Sequence, residues 1–245
     1  MKIAMIFIFL LNLLLSCSTK QTLPPLDPDD EFERALGFFE NKKLRQAAEA
    51  FERILFYHPS SEYVDDAQYW LARTYFEKRE YDQAISEFDY LIKNFATSGF
   101  LEEAYLYRAK SYFLKAPSYE KDPTEINNAI SLFDQFLTKF PNSKFTDEIR
   151  DMILSARNKL AKKEVENGKL YIKLSEPDAA LLYFEYVIEN YPETEVSNEA
   201  KYLAATLYEN KDKEKALKLY DELLSEEYWA EKVEKRIEKI KKNGQ

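Results

Sequence analysis

Residues 35–59, ALGFFENKKLRQAAEAFERILFYHP, decide the fold because small and aromatic residues recur in them at fixed spacing. Ala35 stands twelve residues before Ala47, Phe51 follows four residues after Ala47, and Pro59 ends the stretch. Small side chains let two helices cross closely, an aromatic ring fills the space between them, and a proline ends a helix. The stretch therefore predicts two packed helices joined by a short turn.

The same spacing returns four more times along the chain. It resembles the tetratricopeptide repeat, a helix hairpin of about 34 residues that buries its apolar face only when neighbouring hairpins stack on it. The resemblance predicts an all-α fold, a tetratricopeptide-repeat solenoid of about five helix hairpins. The matching residues are Ala72, Tyr75, Ala84 and Phe88 in the second repeat, Ala109, Tyr112, Ala129 and Phe133 in the third, Gly168, Tyr171, Ala180 and Phe184 in the fourth, and Ala204, Ala216 and Tyr220 in the fifth.

Two irregularities divide the array. The third repeat carries an eight-residue insertion at 116–123, and the fourth is preceded by extra sequence that is apolar at helical spacing. The extra sequence predicts a long first helix of about 28 residues starting near Thr146. We expect an N-terminal array of repeats one to three at 31–145 and a C-terminal array at 146–245. The second array holds the long helix, repeats four and five, and a last helix at about Tyr228–Lys242 that is either a cap or a partner contact.

The N-terminus reads MKIAMIFIFLLNLLLSC, with one lysine, an apolar run and the chain's only cysteine, Cys17. A charged start and a short apolar stretch are typical of a secretory signal, and the cysteine after Leu-Leu-Ser resembles the bacterial lipobox. We expect a lipoprotein signal peptide at 1–16, lipid attachment at Cys17 and a flexible, proline-rich tether at 17–30. Ser18 favours the outer membrane, with the chain lipid-anchored on its periplasmic face. An ordinary signal peptide or a membrane anchor is the alternative.

Composition excludes several classes of function. The chain has 35 basic and 44 acidic side chains and a formal net charge of −9, which does not suit a nucleic-acid binder. His58 is the only histidine, and no group of residues has metal-ligand spacing, a phosphate loop or a nucleophile motif. We therefore expect a non-enzyme with no metal and no cofactor.

Four short motifs narrow the resemblance beyond a generic repeat. They are Asp122-Pro123 before Ala129, Pro141-Asn142-Ser143, Leu160-Ala161 with Glu164, and Tyr191-Pro192 with Thr194. Together they resemble the BamD family, also called ComL or YfiO, which consists of lipoproteins of the outer-membrane β-barrel assembly machine. The resemblance implies a non-catalytic scaffold that docks a BamA-like barrel protein through its C-terminal repeats and receives unfolded outer-membrane proteins. A lipoprotein of a Tol–Pal, cell-wall or pilus-assembly system is the alternative.

First helices of stacked repeats line the concave face of such a solenoid, and fixed positions in each point inward. In repeats one to three these positions are apolar or basic except for Glu77, which suits an extended peptide with aromatic side chains and a terminal carboxylate. The alternative is that the aromatic residues pack against neighbouring helices. The candidate groove residues are Phe32, Leu36, Phe39, Tyr69, Arg73, Phe76, Leu106, Lys110 and Phe113.

Overall fold

The computed structural model describes residues 24–116 and 123–242, and these residues form eleven helices and no strand. Cys17, the signal peptide, most of the tether and most of the 116–123 insertion lie outside the described residues. The helices are α1 Pro28–Glu40, α2 Leu44–Tyr57, α3 Val64–Glu77, α4 Tyr81–Asn94, α5 Leu101–Lys115, α6 Thr124–Lys139, α7 Thr146–Lys173, α8 Pro177–Asn190, α9 Glu195–Tyr208, α10 Lys213–Leu223 and α11 Glu227–Lys242.

Consecutive helices pack against each other and form five hairpins, from α1–α2 to α9–α10, followed by α11. Contacts also join the first helices of neighbouring hairpins: α1 touches α3, α3 touches α5, and α7 touches α9. Each hairpin therefore covers the apolar face of the next, as a repeat array requires. The predicted all-helical solenoid of five hairpins is confirmed.

The residues that define the repeat form the core. Of the eighteen named above, fifteen are buried, and the exceptions are Tyr75, Tyr112 and Tyr171. These three occupy the same position near the end of a first helix, where the ring packs inside and the hydroxyl reaches the surface. The Tyr75 hydroxyl, for example, donates to Glu52 Oε1 at 2.9 Å. A tyrosine suits this position because one end of its side chain is apolar and the other polar.

Three of the four hairpin turns that the structure describes in full share one backbone conformation. Lys42, Arg79 and Ser175 have φ values of 56°, 63° and 62°, in the left-handed region that favours glycine. In each turn, the N–H of the next residue donates to the carbonyl of an aromatic residue near the end of the first helix, at 2.9–3.0 Å; these aromatic residues are Phe38, Tyr75 and Tyr171. This closure satisfies carbonyl groups at the end of the first helix and fixes the angle at which the second helix returns.

Helix α7 is 28 residues long, which corresponds to about 42 Å. Its first turn places Ile149 in the core of repeat three, beside Phe133 and Phe136. Its middle contributes Ala156 and Leu160 to a small cluster of their own, and its last third joins the core of repeat four. One continuous helix thus belongs to both arrays.

The middle of α7 also holds the turn between α8 and α9. Arg157 pairs with Glu193, donates to the Asn190 carbonyl at 2.7 Å and lies 5.1 Å from the centre of the Tyr191 ring. The hydrogen bond from Arg157 lowers the pKa of the Glu193 carboxyl.

Both ends of the array differ slightly from the expected boundaries. Helix α1 begins at Pro28, inside the expected tether, and α11 begins at Glu227. Along α11, Val233, Ile237 and Ile240 are buried in a cluster with Tyr220 and Leu223 of α10. The last helix therefore covers the apolar face that α9 and α10 would otherwise expose.

Gly168→Ala should destabilise the protein, because an added Cβ would lie 2.5 Å from Cε1 of the core Phe184. We expect a loss of about 1–3 kcal/mol in chemical unfolding. The matched control is Gly37→Ala in α1, where a Cβ would meet nothing within 4 Å and should gain up to about 1 kcal/mol. Equal effects at the two glycines would contradict the close crossing of α7 and α8.

Glu193→Gln should reduce stability at pH 7 by less than about 1 kcal/mol, because the pair with Arg157 is partly solvated. The folded-state pKa lies below the ordinary value of 4.5, so this contribution exists above that pH and disappears as the pH falls through the folded-state pKa. Melting curves of the parent and the variant should converge as the pH falls through the folded-state pKa of Glu193. Glu189→Gln on α8 is the control without a resolved pair, and a parent–variant difference that stays constant as the pH is lowered from 7 until Glu193 is protonated would refute the assignment.

Candidate peptide-binding face

The first helices α1, α3 and α5 lie side by side, and together they carry all nine candidate groove residues. Three of the nine, Phe32, Tyr69 and Leu106, are buried and hold hairpins together. Tyr69, for instance, stacks on Phe100 at a centroid distance of 4.2 Å. The other six are partly exposed and are called the N-terminal face from here on: Leu36, Phe39, Arg73, Phe76, Lys110 and Phe113.

The aromatic rings of this face contact the next repeat in a regular way. Phe39 meets Trp70 edge-on at 5.0 Å, and one repeat later Phe76 meets Tyr107 edge-on at 5.1 Å. In each pair an aromatic residue near the end of one first helix touches an aromatic residue near the middle of the next. Sequence reasoning missed Trp70 and Tyr107, although an aromatic residue at the same position of two consecutive repeats was a usable signal.

Tyr107 lies between two cations. The Arg73 guanidinium is 3.7 Å from the centre of its ring, and the Lys110 ammonium is 4.9 Å from it. Arg73 also donates to the Tyr69 hydroxyl at 3.0 Å. Such placement of cations over an aromatic ring is attractive and fixes both side chains. Burial raises the pKa of the Tyr69 hydroxyl, so that it stays a neutral acceptor.

The two cations differ in how firmly they are paired within the chain. Lys110 contacts Glu148 Oε1 of α7 at 2.5 Å, whereas Arg73 reaches Glu77 Oε1 at only 3.5 Å. A strong charge-assisted bond is about 2.7–2.9 Å long. Arg73 is therefore the less firmly paired of the two cations of this face.

The face ends at Phe113. Its ring is covered by the Lys159 ammonium of α7 at 3.9 Å from the ring centre, and burial lowers the pKa of that amine. The aromatic pairing of repeats one to three does not continue here, because α7 follows with a lysine where the earlier repeats have a ring.

The C-terminal array presents a different surface. On α8, Leu182 and Tyr186 stand four residues apart with 68% and 47% of their surface exposed, and Leu170 and Leu174 are exposed at the end of α7. An apolar pair one helical turn apart, open to solvent, is the kind of feature that marks a protein–protein contact.

Over residues 24–116 and 123–242, no helix combines the length and the apolarity needed to cross a membrane. In the same ranges, no three histidine, cysteine or acidic side chains come together as a metal site would need.

Comparison with known protein families identifies the family of this chain. Residues 26–223 match the model of the YfiO family, Outer membrane lipoprotein. The chain belongs to this family. The match includes all of α1–α10, so the N-terminal face and the C-terminal array up to α10 lie in the YfiO region, and α11 lies outside it.

One curated relative in the YfiO group is the outer membrane protein assembly factor BamD of Rickettsia prowazekii. It is 28% identical over 184 residues, which are 72% of this chain and 70% of the relative. Among solved structures, the chain is similar to a TPR repeats protein from Bacteroides fragilis, with 13% identity, 89% and 99% of the two chains covered and a TM-score of 0.48. A thermophilic TPR protein from Thermus thermophilus shows 18% identity, 87% and 98% coverage and a TM-score of 0.39.

Proposed function

We propose that this chain is a non-catalytic scaffold for the assembly of outer-membrane β-barrel proteins. In this role it is held on the periplasmic face of the outer membrane by a lipid on Cys17. The family match over residues 26–223 and the relative named as an assembly factor support the proposal. The observation that carries it is the N-terminal face, where aromatic rings and an incompletely paired arginine lie together.

On this proposal the N-terminal face receives extended C-terminal segments of unfolded outer-membrane proteins. Partly exposed rings such as Phe39 and Phe76 offer contacts to aromatic side chains of the segment. Arg73 offers a planar guanidinium to the terminal carboxylate, since its internal partner Glu77 is held at 3.5 Å. The C-terminal array docks a BamA-like barrel protein through its periplasmic domains, and the exposed pair Leu182 and Tyr186 supplies an apolar contact.

Arg73→Gln should weaken binding of a synthetic peptide that ends in phenylalanine with a free carboxylate. The expected loss is about tenfold to one-hundredfold in Kd, because a charge-assisted bond contributes about 1.5–3 kcal/mol and every 1.4 kcal/mol is about tenfold. Fluorescence anisotropy with a labelled peptide measures it. An amidated peptide should bind the parent about as weakly as the free acid binds the variant, and Arg73→Gln should not weaken amide binding further.

The matched control is Arg108→Gln in α5. Arg108 is also a partly buried arginine on a first helix, but it bonds Asp89 at 2.9 Å and Gln135 at 2.8 Å on the second helices α4 and α6. Binding of the free-acid peptide should be unchanged in this variant. Equal losses in both arginine variants, or an amidated peptide that binds the parent as well as the acid, would refute the carboxylate contact.

Capture of the lipidated chain in mild detergent should recover a large outer-membrane barrel protein with periplasmic domains, identified by mass spectrometry. Leu182→Asp should lose this partner, because a charge replaces an apolar contact, and Tyr90→Asp, at an exposed site on α4 of the N-terminal array, should retain it. Recovery of Tol–Pal, pilus or cell-wall proteins instead would keep the fold and reject the proposed function.

A further inference from the structure

The chain enters the fold at a fixed point. Residues 24–27, which precede α1, lie against the end of α2. Arg53 donates to the Pro24 carbonyl at 3.2 Å, and His58 Nε2 donates to the Leu26 carbonyl at 2.9 Å. Both donors come from the last turn of α2 and the residue that follows it, so the segment is held where α2 ends.

The buried carboxylate of Glu31 adds further bonds between the entering segment, α1 and α2. Glu31 of α1 has no exposed surface and pairs with Arg34 and with Arg53 Nε, the latter at 2.9 Å. It also accepts from the Leu26 N–H at 3.4 Å. Because Arg53 contacts both Glu31 and Pro24, α1, α2 and the entering segment are tied together.

An exposed aromatic pair lies beside this point. Phe56 is 76% exposed, the highest value among the large apolar side chains of the described residues, and Tyr57 is 43% exposed. Their rings meet edge-on at 4.8 Å, and the Arg53 guanidinium is 5.4 Å from the Tyr57 ring centre. Leu26 of the entering segment is 39% exposed. Exposed apolar side chains are thus grouped where residues 24–27 lead into α1.

The length of chain before Pro24 limits how far this surface can be from the lipid. Six residues lie between Cys17 and Pro24, and the seven Cα–Cα steps that join the two span at most about 25 Å. If the proposed lipid attachment at Cys17 holds, on which this inference rests, Pro24 stays within that distance of Cys17, and Arg53 of α2 contacts Pro24 directly.

We infer that Phe56 and Tyr57, with Leu26, form a second membrane contact that inserts into the interfacial layer of a lipid surface. Phenylalanine supplies apolar area, and tyrosine places its ring in the apolar region with its hydroxyl among the headgroups. The acyl chains hold the protein at the bilayer, and the aromatic pair orients the first hairpin relative to it. Because the chain's net charge is −9, the contact depends on apolar insertion and persists on neutral lipids and at high salt.

The test uses the full lipidated chain with Phe56→Cys, whose new thiol is the only free one because the lipid occupies Cys17. An environment-sensitive fluorophore on this thiol reports on its surroundings when the protein is bound to phosphatidylethanolamine–phosphatidylglycerol vesicles, and on phosphatidylcholine vesicles for comparison. The matched control is Leu182→Cys, a similarly exposed site in the C-terminal array. The label at 56 should emit at shorter wavelength, lose its quenching by iodide and be quenched by lipids with a nitroxide near the headgroup. The fluorescence of the label at position 182 should still be quenched by iodide.

Vesicle flotation separates the possible failures. A chain that floats but whose label at 56 is as open to iodide as the label at 182 overturns the membrane contact and leaves the lipid anchor intact. A chain that floats no better than Cys17→Ala overturns the anchor and, with it, the inference. Protection from iodide at 56 without nitroxide quenching, seen equally in Cys17→Ala, assigns the pair to a protein contact and overturns the lipid contact.

Discussion

The structure depends on how closely the two helices of each hairpin approach. Small residues at the crossing leave room for one aromatic ring from the second helix, and at the α7–α8 crossing even a methyl group is excluded by Phe184. Close approach spreads the apolar contact along both helices. It also leaves one face of every hairpin uncovered, which the next hairpin must cover. The repetition of hairpins, and the presence of α11 after the last one, both follow from this need to cover an apolar face.

Helix α7 extends the close packing of single hairpins to the whole scaffold, because it packs in both arrays. Its residues Ile149, Ala156 and Val165 lie in three successive clusters, so the two arrays share one continuous helix and do not meet at a loop. Reorienting one array against the other would require breaking backbone hydrogen bonds in the middle of α7 or unpacking Arg157 from the α8–α9 turn. A fixed spacing between the proposed client-receiving face and the proposed docking surface suits the proposed role of bringing two partners together.

The repeat register and the start of α7 could be read from the sequence, because small residues, aromatic residues and helical spacing are local signals. How deeply the candidate groove residues are buried, and how they are paired, could not be predicted from the sequence. Tyr69 is buried because Phe100 stacks on it from the loop before α5, and Lys110 is paired because α7 brings Glu148 beside it. Both contacts depend on how neighbouring repeats stack. Helix α1 begins at Pro28, within the stretch expected to be a tether, and a proline followed by three acidic residues is a typical helix start.

The two proposed surfaces of the first hairpin do not compete for space. On α2, Phe51 and Ile54 are fully buried in the core cluster that also contains α1 residues. At 100° per residue, Phe56 lies about 140° from Phe51 and about 160° from Ile54, on the side of α2 away from α1. The N-terminal face begins on α1, the first helix of the same hairpin. A bilayer that takes up Phe56 on the side of α2 away from α1 therefore leaves that face uncovered, so the proposed anchoring and the proposed client binding are compatible.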